Sequence, residues 1–229
     1  MKAVILGGGR GERLRPLTDE LPKPLIKVNN HPILYWQIRW LKSIGIDSIL
    51  ILAGYKAEKI KEYVESNMGF GSSIEIVQEK PEGLGTAYAL RNAMELLEKE
   101  EKFFVINGDN ITNIDIRKME LSGNVLCVAA LVPLKSDKGV AVVEGSLIKR
   151  FEEKPVLKDY FMNAGMLLMH RDALKLLPEK GSLEIMLENL AKEGRLLGMK
   201  YLDSYMKSID SFKDLKEIEE DMKEKRITF

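Results

Sequence analysis

The sequence predicts an α/β fold, a mostly parallel sheet with helices on both faces, and three observations carry that expectation. Short continuous apolar runs, Lys2–Leu6, Ser48–Ala53 and Phe103–Asn107, read as strands buried on both faces. Helical periodicity separates them, and Gly7-Gly8-Gly9 turns the chain sharply after the first. Beyond Asn124 strands follow one another with little helix between, so that half should add antiparallel pairing.

In order, Lys2–Leu6 is the first strand, and a loop runs from it through Lys27. Residues 33–44 place Ile33, Leu34, Ile38, Leu41 and Ile44 on one helical face, with Pro32 suited to the first turn and Gly45 to the C-cap. Ser48–Ala53 is a strand, Glu58–Glu65 a helix and Ser73–Gln78 a strand. Ala87–Glu98 reads as a helix with Leu90, Ala93, Met94 and Leu97 inward, leading to the strand Phe103–Asn107. This alternation implies right-handed crossovers of Rossmann-like type. Val125–Val132, Val140–Val143, Leu147–Phe151 and Phe161–Met169 are the later strands, and Arg171–Leu177, Leu183–Lys192 and Ser211–Lys225 the later helices. Ser211 can cap the last helix, with Asp214 three residues on. No Ser/Pro-rich linker or internal repeat divides the chain, so residues 1–229 read as a single domain.

Composition is that of a globular protein, with 45% hydrophobic and 31% charged residues. The 35 Lys+Arg and 35 Asp+Glu cancel, leaving no global field to attract nucleic acid or an anionic membrane. Any polyanion site must be local. The longest apolar run, Val125–Leu134, is about half a membrane span, and the N-terminal run is too short for a signal-peptide core. With one cysteine, Cys127, no internal disulfide can close, and the expectation is a cytoplasmic protein with a buried, inert thiol. A homo-oligomer is left open.

Chemistry concentrates after the first strand, in Gly7-Gly8-Gly9-Arg10-Gly11-Glu12-Arg13-Leu14-Arg15. Glycines let the backbone approach a ligand, and successive N–H groups there suit phosphate. Neither the dinucleotide fingerprint nor the Gly-Lys-Ser/Thr phosphate loop is present. Arg10, Arg13 and Arg15 supply guanidinium donors for phosphate oxygens, and Lys23, between Pro22 and Pro24, sits on a stiff and aimed backbone. Asp109 follows the apolar run Phe103–Ile106, at a strand's carboxyl end where open α/β sheets bind ligands. An aspartate there suits Mg²⁺, which takes one or two carboxylates plus phosphates and water. His31 and His170 fit no metal-ligand spacing and read as structural.

The run Gly8-Gly9-x-Gly11-x-Arg13-Leu14-x-Pro16-Leu17-Thr18, with Pro22-Lys23-Pro24-Leu25 after it, resembles the signature of the sugar-1-phosphate nucleotidylyltransferases, or nucleotide-sugar pyrophosphorylases. Leu84-Gly85-Thr86-Ala87, Asn107-Gly108-Asp109, Phe151-Glu152-Glu153-Lys154-Pro155 and Asn163-Ala164-Gly165 resemble further motifs of that family, in its order. The resemblance implies a fold of the nucleotide-diphospho-sugar transferase type, without the C-terminal β-helix some members carry. It implies transfer of a nucleotidyl group from a nucleoside triphosphate to a sugar-1-phosphate, giving pyrophosphate and a nucleotide sugar. Arg150-Phe151 and the stretch 182–194 resemble mannose-1-phosphate guanylyltransferases in particular, with GTP, UTP or dTTP as the donor and a cytidylyltransferase or a noncatalytic nucleotide-sugar binder as alternatives.

Carried over residue by residue, the resemblance makes Arg13 and Lys23 the catalytic cations, on the β/γ- and α-phosphates respectively. It gives the nucleotide Leu6, Gly8, Gly9, Gly11, Gln78, Gly83, Gly85 and Asp109, although a strand-end Gln78 facing solvent is the competing reading. It gives the sugar phosphate Gly108, Glu153, Lys154 and Asn163, against a merely solvated turn at 152–154. Mg²⁺ would rest on Asp109 and a second acid. The family's usual second aspartate aligns with Ser208, and Asp210, two residues on, is the expected ligand. The rival reading makes Asp210 the cap of the last helix, with Asp203 or water on the metal.

Overall fold

Successive residues of a strand face opposite ways, and β1 (Lys2–Leu6) sends Ala3 and Ile5 into one apolar layer and Val4 into the other, all fully buried. The computed structural model describes residues 1–227. Six further strands join β1 in one sheet: β2 (Ser48–Ala53), β3 (Ser73–Gln78), β4 (Lys102–Asn107), β5 (Cys127–Lys135), β6 (Val156–His170) and β7 (Leu196–Lys200). Their order is β7-β5-β6-β4-β1-β2-β3. The half β3-β2-β1-β4 is parallel throughout, as the alternation of strand and helix implies. β6 then runs antiparallel to both β4 and β5, and β7 lies parallel to β5, so the sheet is mixed but mostly parallel.

Helices cover both faces. α1 (Ile33–Ser43) and α2 (Ala57–Ser66) lay Leu34, Ile38, Ile60 and Val64 against Ile5, Ile49, Ile51 and Phe104. α3 (Thr86–Asn92) and α4 (Glu184–Lys192) lay Leu90, Met186 and Leu190 against Val4, Leu50, Phe103 and Val105. A third, smaller core joins Leu14, Ile26, Val28, Ile111 and Ile209 to Ile218 of α5 (Phe212–Lys223). That core supports the functional end of the sheet.

Several expectations needed correction. The helix expected over residues 87–98 breaks at Ala93, where the backbone leaves helical geometry, giving α3 and a short turn Met94–Leu97. The stripe Leu90, Ala93 and Leu97 is buried as the periodicity demands, while Met94 is partly exposed. Residues 171–176 form a 3₁₀ stretch rather than an α-helix, opened by His170, whose Nδ1 accepts the Asp172 N–H. β6 extends back through the polar stretch Lys158-Asp159-Tyr160, which has no apolar pattern. β7 has no counterpart in the sequence reading, because its Leu-Leu-Gly-Met-Lys carries a glycine and lies half exposed at the sheet edge. A small antiparallel ribbon of Asn110–Thr112 with Met206–Ser208 was likewise not foreseen, each strand being too short to show a period.

Candidate active site

The helix that follows β1 (α1) and the helix that leads into its neighbour β4 (α3) lie on opposite faces, so a crevice opens where the chain exits β1 and β4. There the Gly7 N–H donates to the Leu52 carbonyl at 2.8 Å and the Gly108 N–H to the Leu6 carbonyl at 3.0 Å. A Cβ on Gly108 would stand 2.4 Å from the Leu6 oxygen, so only glycine lets the end of β4 close on β1. The loop after β1 is held from below. Gly11, at φ 63, opens one 3₁₀ turn (Glu12–Leu14) that buries Leu14, and the Thr18 hydroxyl donates to the Gly11 carbonyl at 3.0 Å. Anchored at Leu14 and Thr18, the loop presents its glycines and arginines outward.

The result is a cavity of about 590 Å³. Its walls include Leu6, Gly8, Gly9, Gly11, Arg13, Lys23, Gly83, Gly85, Gly108, Asp109 and Asp210 from the sequence reading. Lys23 is the hub. Its side chain is 13% exposed, and the ammonium donates to Asp109 Oδ2 at 2.6 Å and to Asp210 Oδ1 at 3.0 Å. Arg13 donates to the same Asp210 oxygen at 2.9 Å, and is otherwise 77% exposed. Burial opposes ionisation of Asp210, but the Lys23 hydrogen bond and the Lys23 and Arg13 charges outweigh it and hold the carboxyl below its usual range.

Asp109 and Asp210 meet because of the ribbon. Ser208 pairs with Asn110, and the Ile209 N–H donates to the Asp109 carbonyl at 3.0 Å, so Asp109 and the residue after Ile209, Asp210, carry their carboxylates to the same place. Fully buried Ile209 and Ile111 fix the register from beneath. Ser208, at the family's usual aspartate position, donates instead to Asp210 Oδ2 at 3.3 Å. The helix cap is Ser211, whose Oγ accepts the Asp214 N–H, so Asp210 is not spent on capping. Asp109 Oδ1 is buried with no hydrogen-bond partner among the described residues. An orphaned carboxylate oxygen beside a second carboxylate fits a divalent cation. No cluster of three or more His, Cys, Asp or Glu able to hold a metal occurs among the described residues, so substrate oxygens and water would complete the shell.

Four expected residues lie outside this cavity. Gln78 points to the other side of the pleat and borders a separate groove with Lys61 and Ile76; its neighbour Glu79 lines the cavity instead. Glu153 and Lys154 sit at the base of an exposed hairpin (Val140–Glu144 with Leu147–Glu152), where the Lys154 N–H donates to the Lys138 carbonyl at 3.3 Å. Asn163, whose Oδ1 accepts the Gly165 N–H, borders a small recess shared with Asn107 and Glu184, both of which also line the main cavity. The recess therefore adjoins the cavity on the β6 side.

Residues the sequence reading missed include Gln37, Glu79 and Glu184. Gln37 is buried on α1 and donates to the carbonyls of Asn107 and Asn110 at 2.7 and 3.1 Å, stitching the chain on either side of Asp109. A polar residue on the inward stripe of an amphipathic helix is the signal that could have found it. Glu79 is only 6% exposed; burial pushes its carboxyl up, the Gly83 N–H opposes this, and nearby Glu82 adds to the rise.

A glycine-shaped phosphate loop facing a lysine and two strand-end carboxylates, at the switch point of an α/β sheet, defines an enzyme that works on nucleoside phosphates. Residues 2–214 match the nucleotidyl transferase family, and the chain belongs to it. It is 34% identical over 197 residues to the D-glycero-alpha-D-manno-heptose 1-phosphate guanylyltransferase of Campylobacter jejuni, covering 84% of this chain and 87% of the relative. It is 35% identical over 219 residues to the mannose-1-phosphate guanylyltransferase catalytic subunit beta of Xenopus tropicalis, covering 90% of this chain and 60% of that one. Among solved structures it resembles HddC from Yersinia pseudotuberculosis complexed with GMP-PN, with a TM-score of 0.76, 25% identity, and 96% and 99% of the two chains covered. Among the described residues no helix is long and apolar enough to cross a membrane.

Proposed function

We propose that the protein transfers a guanylyl group from GTP to a manno-configured sugar-1-phosphate. The observation that carries the reaction is Lys23, clamped between Asp109 and Asp210 on the floor of a glycine-lined cavity. The named activities of the relatives carry the choice of base and sugar.

A phosphate monoester is anionic at neutral pH, so an oxygen of the sugar phosphate attacks the α-phosphorus directly. A P–O bond forms there while the bond to the bridging oxygen of the β-phosphate breaks, and pyrophosphate leaves with its electron pair. No proton needs to move. The protein's task is positioning and charge neutralisation. Arg13 reaches the β- and γ-phosphates from the loop, and the Lys23 ammonium stays with the α-phosphate as charge redistributes. Glycines 8, 9 and 11 bring backbone N–H groups toward the phosphates. Asp109 and Asp210 hold Mg²⁺, which supplies charge neutralisation to the triphosphate when bound. Asn163 from β6, and Glu153 and Lys154 from the base of the neighbouring hairpin, serve the sugar phosphate.

The test is a pyrophosphate-release assay pairing GTP, UTP, dTTP and CTP with mannose-, heptose- and glucose-1-phosphate. Release fastest with GTP and a manno-configured acceptor is the expected result. Turnover with CTP or dTTP in preference to GTP would overturn the choice of base, and no turnover with any pair would overturn catalysis.

A further inference from the structure

Asp109 Oδ1 is buried with no partner among the described residues, and a carboxylate oxygen in that state gains by turning out to water unless the chain carrying it is held. The turn of residues 107–110 is held at three places. The Gly108 N–H donates to the Leu6 carbonyl and the Asp109 carbonyl accepts the Ile209 N–H, both at 3.0 Å and both backbone to backbone. The third tie is a side chain. Gln37 of α1, 1% exposed, donates from Nε2 to the carbonyls of Asn107 at 2.7 Å and Asn110 at 3.1 Å. One amide nitrogen thus draws together the residue before Gly108 and the residue after Asp109. Because the Gly108 N–H points to β1, the Asn107 carbonyl points the other way, where the ladder with β6 has already ended at Ile106 opposite Met166. Gln37 supplies the donor that the sheet does not. Its own Oε1 has no partner among the described residues, so its hydrogen bonding goes wholly to those two carbonyls. Leu34, Ile38 and Leu41, all buried, seat the helix that carries it.

We propose that Gln37 is a positioning residue for the reaction: by clamping both ends of the turn it keeps the Asp109 carboxylate beside Asp210 in the geometry a divalent cation needs, before the cation arrives. Gln37 touches neither substrate nor metal and acts through the backbone of residues 107–110. A site held in advance on a rigid element loses no free energy to reorganisation when its ligand binds. The assignment rests on the reading of Asp109 as a metal ligand and adds the residue that aims it. Trp40, three residues along α1, separates aiming from plain stabilisation. It is also buried, and its Nε1 donates to the Ile114 carbonyl at 2.9 Å, a bond of the same kind from the same helix to the same stretch of chain, but beyond the ribbon.

The experiment titrates Mn²⁺ into the substrate-free protein and counts the unbound ion by electron paramagnetic resonance. Gln37→Leu should bind Mn²⁺ about ten- to a hundredfold more weakly than the wild type, the usual effect of removing a group that orients a metal ligand. In turnover it should need more Mg²⁺ for half-maximal rate, regain kcat at high Mg²⁺, and keep its KM for sugar phosphate. Trp40→Phe should lower the melting temperature yet leave Mn²⁺ affinity and the Mg²⁺ requirement unchanged. Wild-type Mn²⁺ affinity in Gln37→Leu, or an equal loss in Trp40→Phe, would overturn the proposal. Should Gln37→Leu not fold, the wild-type protein labelled with ¹⁵N-glutamine decides, because Gln37 and Gln78 are its two glutamines and Gln78 borders a separate groove. Adding Mg²⁺ should shift the side-chain amide signals of Gln37 and not those of Gln78; Gln37 signals that stay in place as Mg²⁺ binds overturn it. A wild-type protein that binds no Mn²⁺ would instead bring down the metal reading itself, and this proposal with it.

Discussion

Lys23 carries two carboxylates at once, and in the proposed reaction replacing it removes the ammonium that stays with the α-phosphate. Lys23→Ala should lower kcat on the order of 10²–10³, the cost of losing one preorganised charge partner, while the dissociation constant for the triphosphate moves little. Lys23→Arg should not restore the rate, because a planar guanidinium does not fit between Asp109 and Asp210 as an ammonium does. Pre-steady-state turnover separates the two effects, and a change in KM alone would contradict the role. Asp210→Asn leaves the Ser211 cap in place and should melt near the wild-type temperature, but with activity greatly reduced and a raised Mg²⁺ requirement. Full activity at low Mg²⁺ would remove Asp210 from the metal site. The folded protein holds its carboxyl below the usual carboxylate range, so the ion pairs to Lys23 and Arg13 contribute above that range and their contribution fades as pH falls through the lowered folded value. Any stability difference between wild type and Asp210→Asn should therefore shrink toward pH 3, as chemical denaturation at pH 3 and pH 7 would show. Glu153→Ala and Asn163→Ala should raise the KM for sugar phosphate and leave that for the triphosphate, since Asn163 borders the recess beside the cavity and Glu153 follows the hairpin, neither belonging to the loop after β1.

The cavity depends on short elements more than on long ones. The ribbon of residues 110–112 and 206–208 has too few residues for its own stability, yet it sets the distance between the two carboxylates. Ile209 and α5 hold it, so Ser211→Ala, which removes the N-cap of α5, should cost roughly 1 kcal/mol and depress activity more than stability. Thermal melting set beside kcat would separate the two. These elements also mark the limit of what the sequence reveals. That the glycine-rich loop, Lys23 and Asp109 line one cavity was legible because their residue types and spacing are dictated by local chemistry. That Asp210 lies near Asp109 was legible because a shift of two residues preserves the face of an extended segment. Gln78 and Glu79 could not be told apart, since adjacent polar residues at a strand end point to opposite sides and only the register of β2 and β3 decides which turns inward. Gln37 escaped because its partners are backbone carbonyls far along the chain.

Across the whole molecule, the two layers of core on either face of the sheet leave Cys127 with no path to solvent, and burial pushes its thiol up to about 12. It should be unreactive toward a disulfide reagent in the native protein at pH 8 and react at the rate of global unfolding; fast labelling would show that β5 opens locally. The mixed topology was legible as a change of rhythm after Asn124, whereas β7 was not, because an edge strand needs neither alternation nor an unbroken apolar run.

The pairing of Ser208 with Asn110 has a temporal consequence. During synthesis, the parallel half of the sheet and the phosphate loop are complete once β4 has left the ribosome, but Asp109 then waits for Asp210, which arrives about a hundred residues later. A nascent chain can thus bury most of its core and present a phosphate cradle while remaining inert. The same order should run backwards under stress. Because α5 and the ribbon rest on the smallest of the three cores, low denaturant should abolish turnover before the far-ultraviolet circular dichroism of the sheet changes.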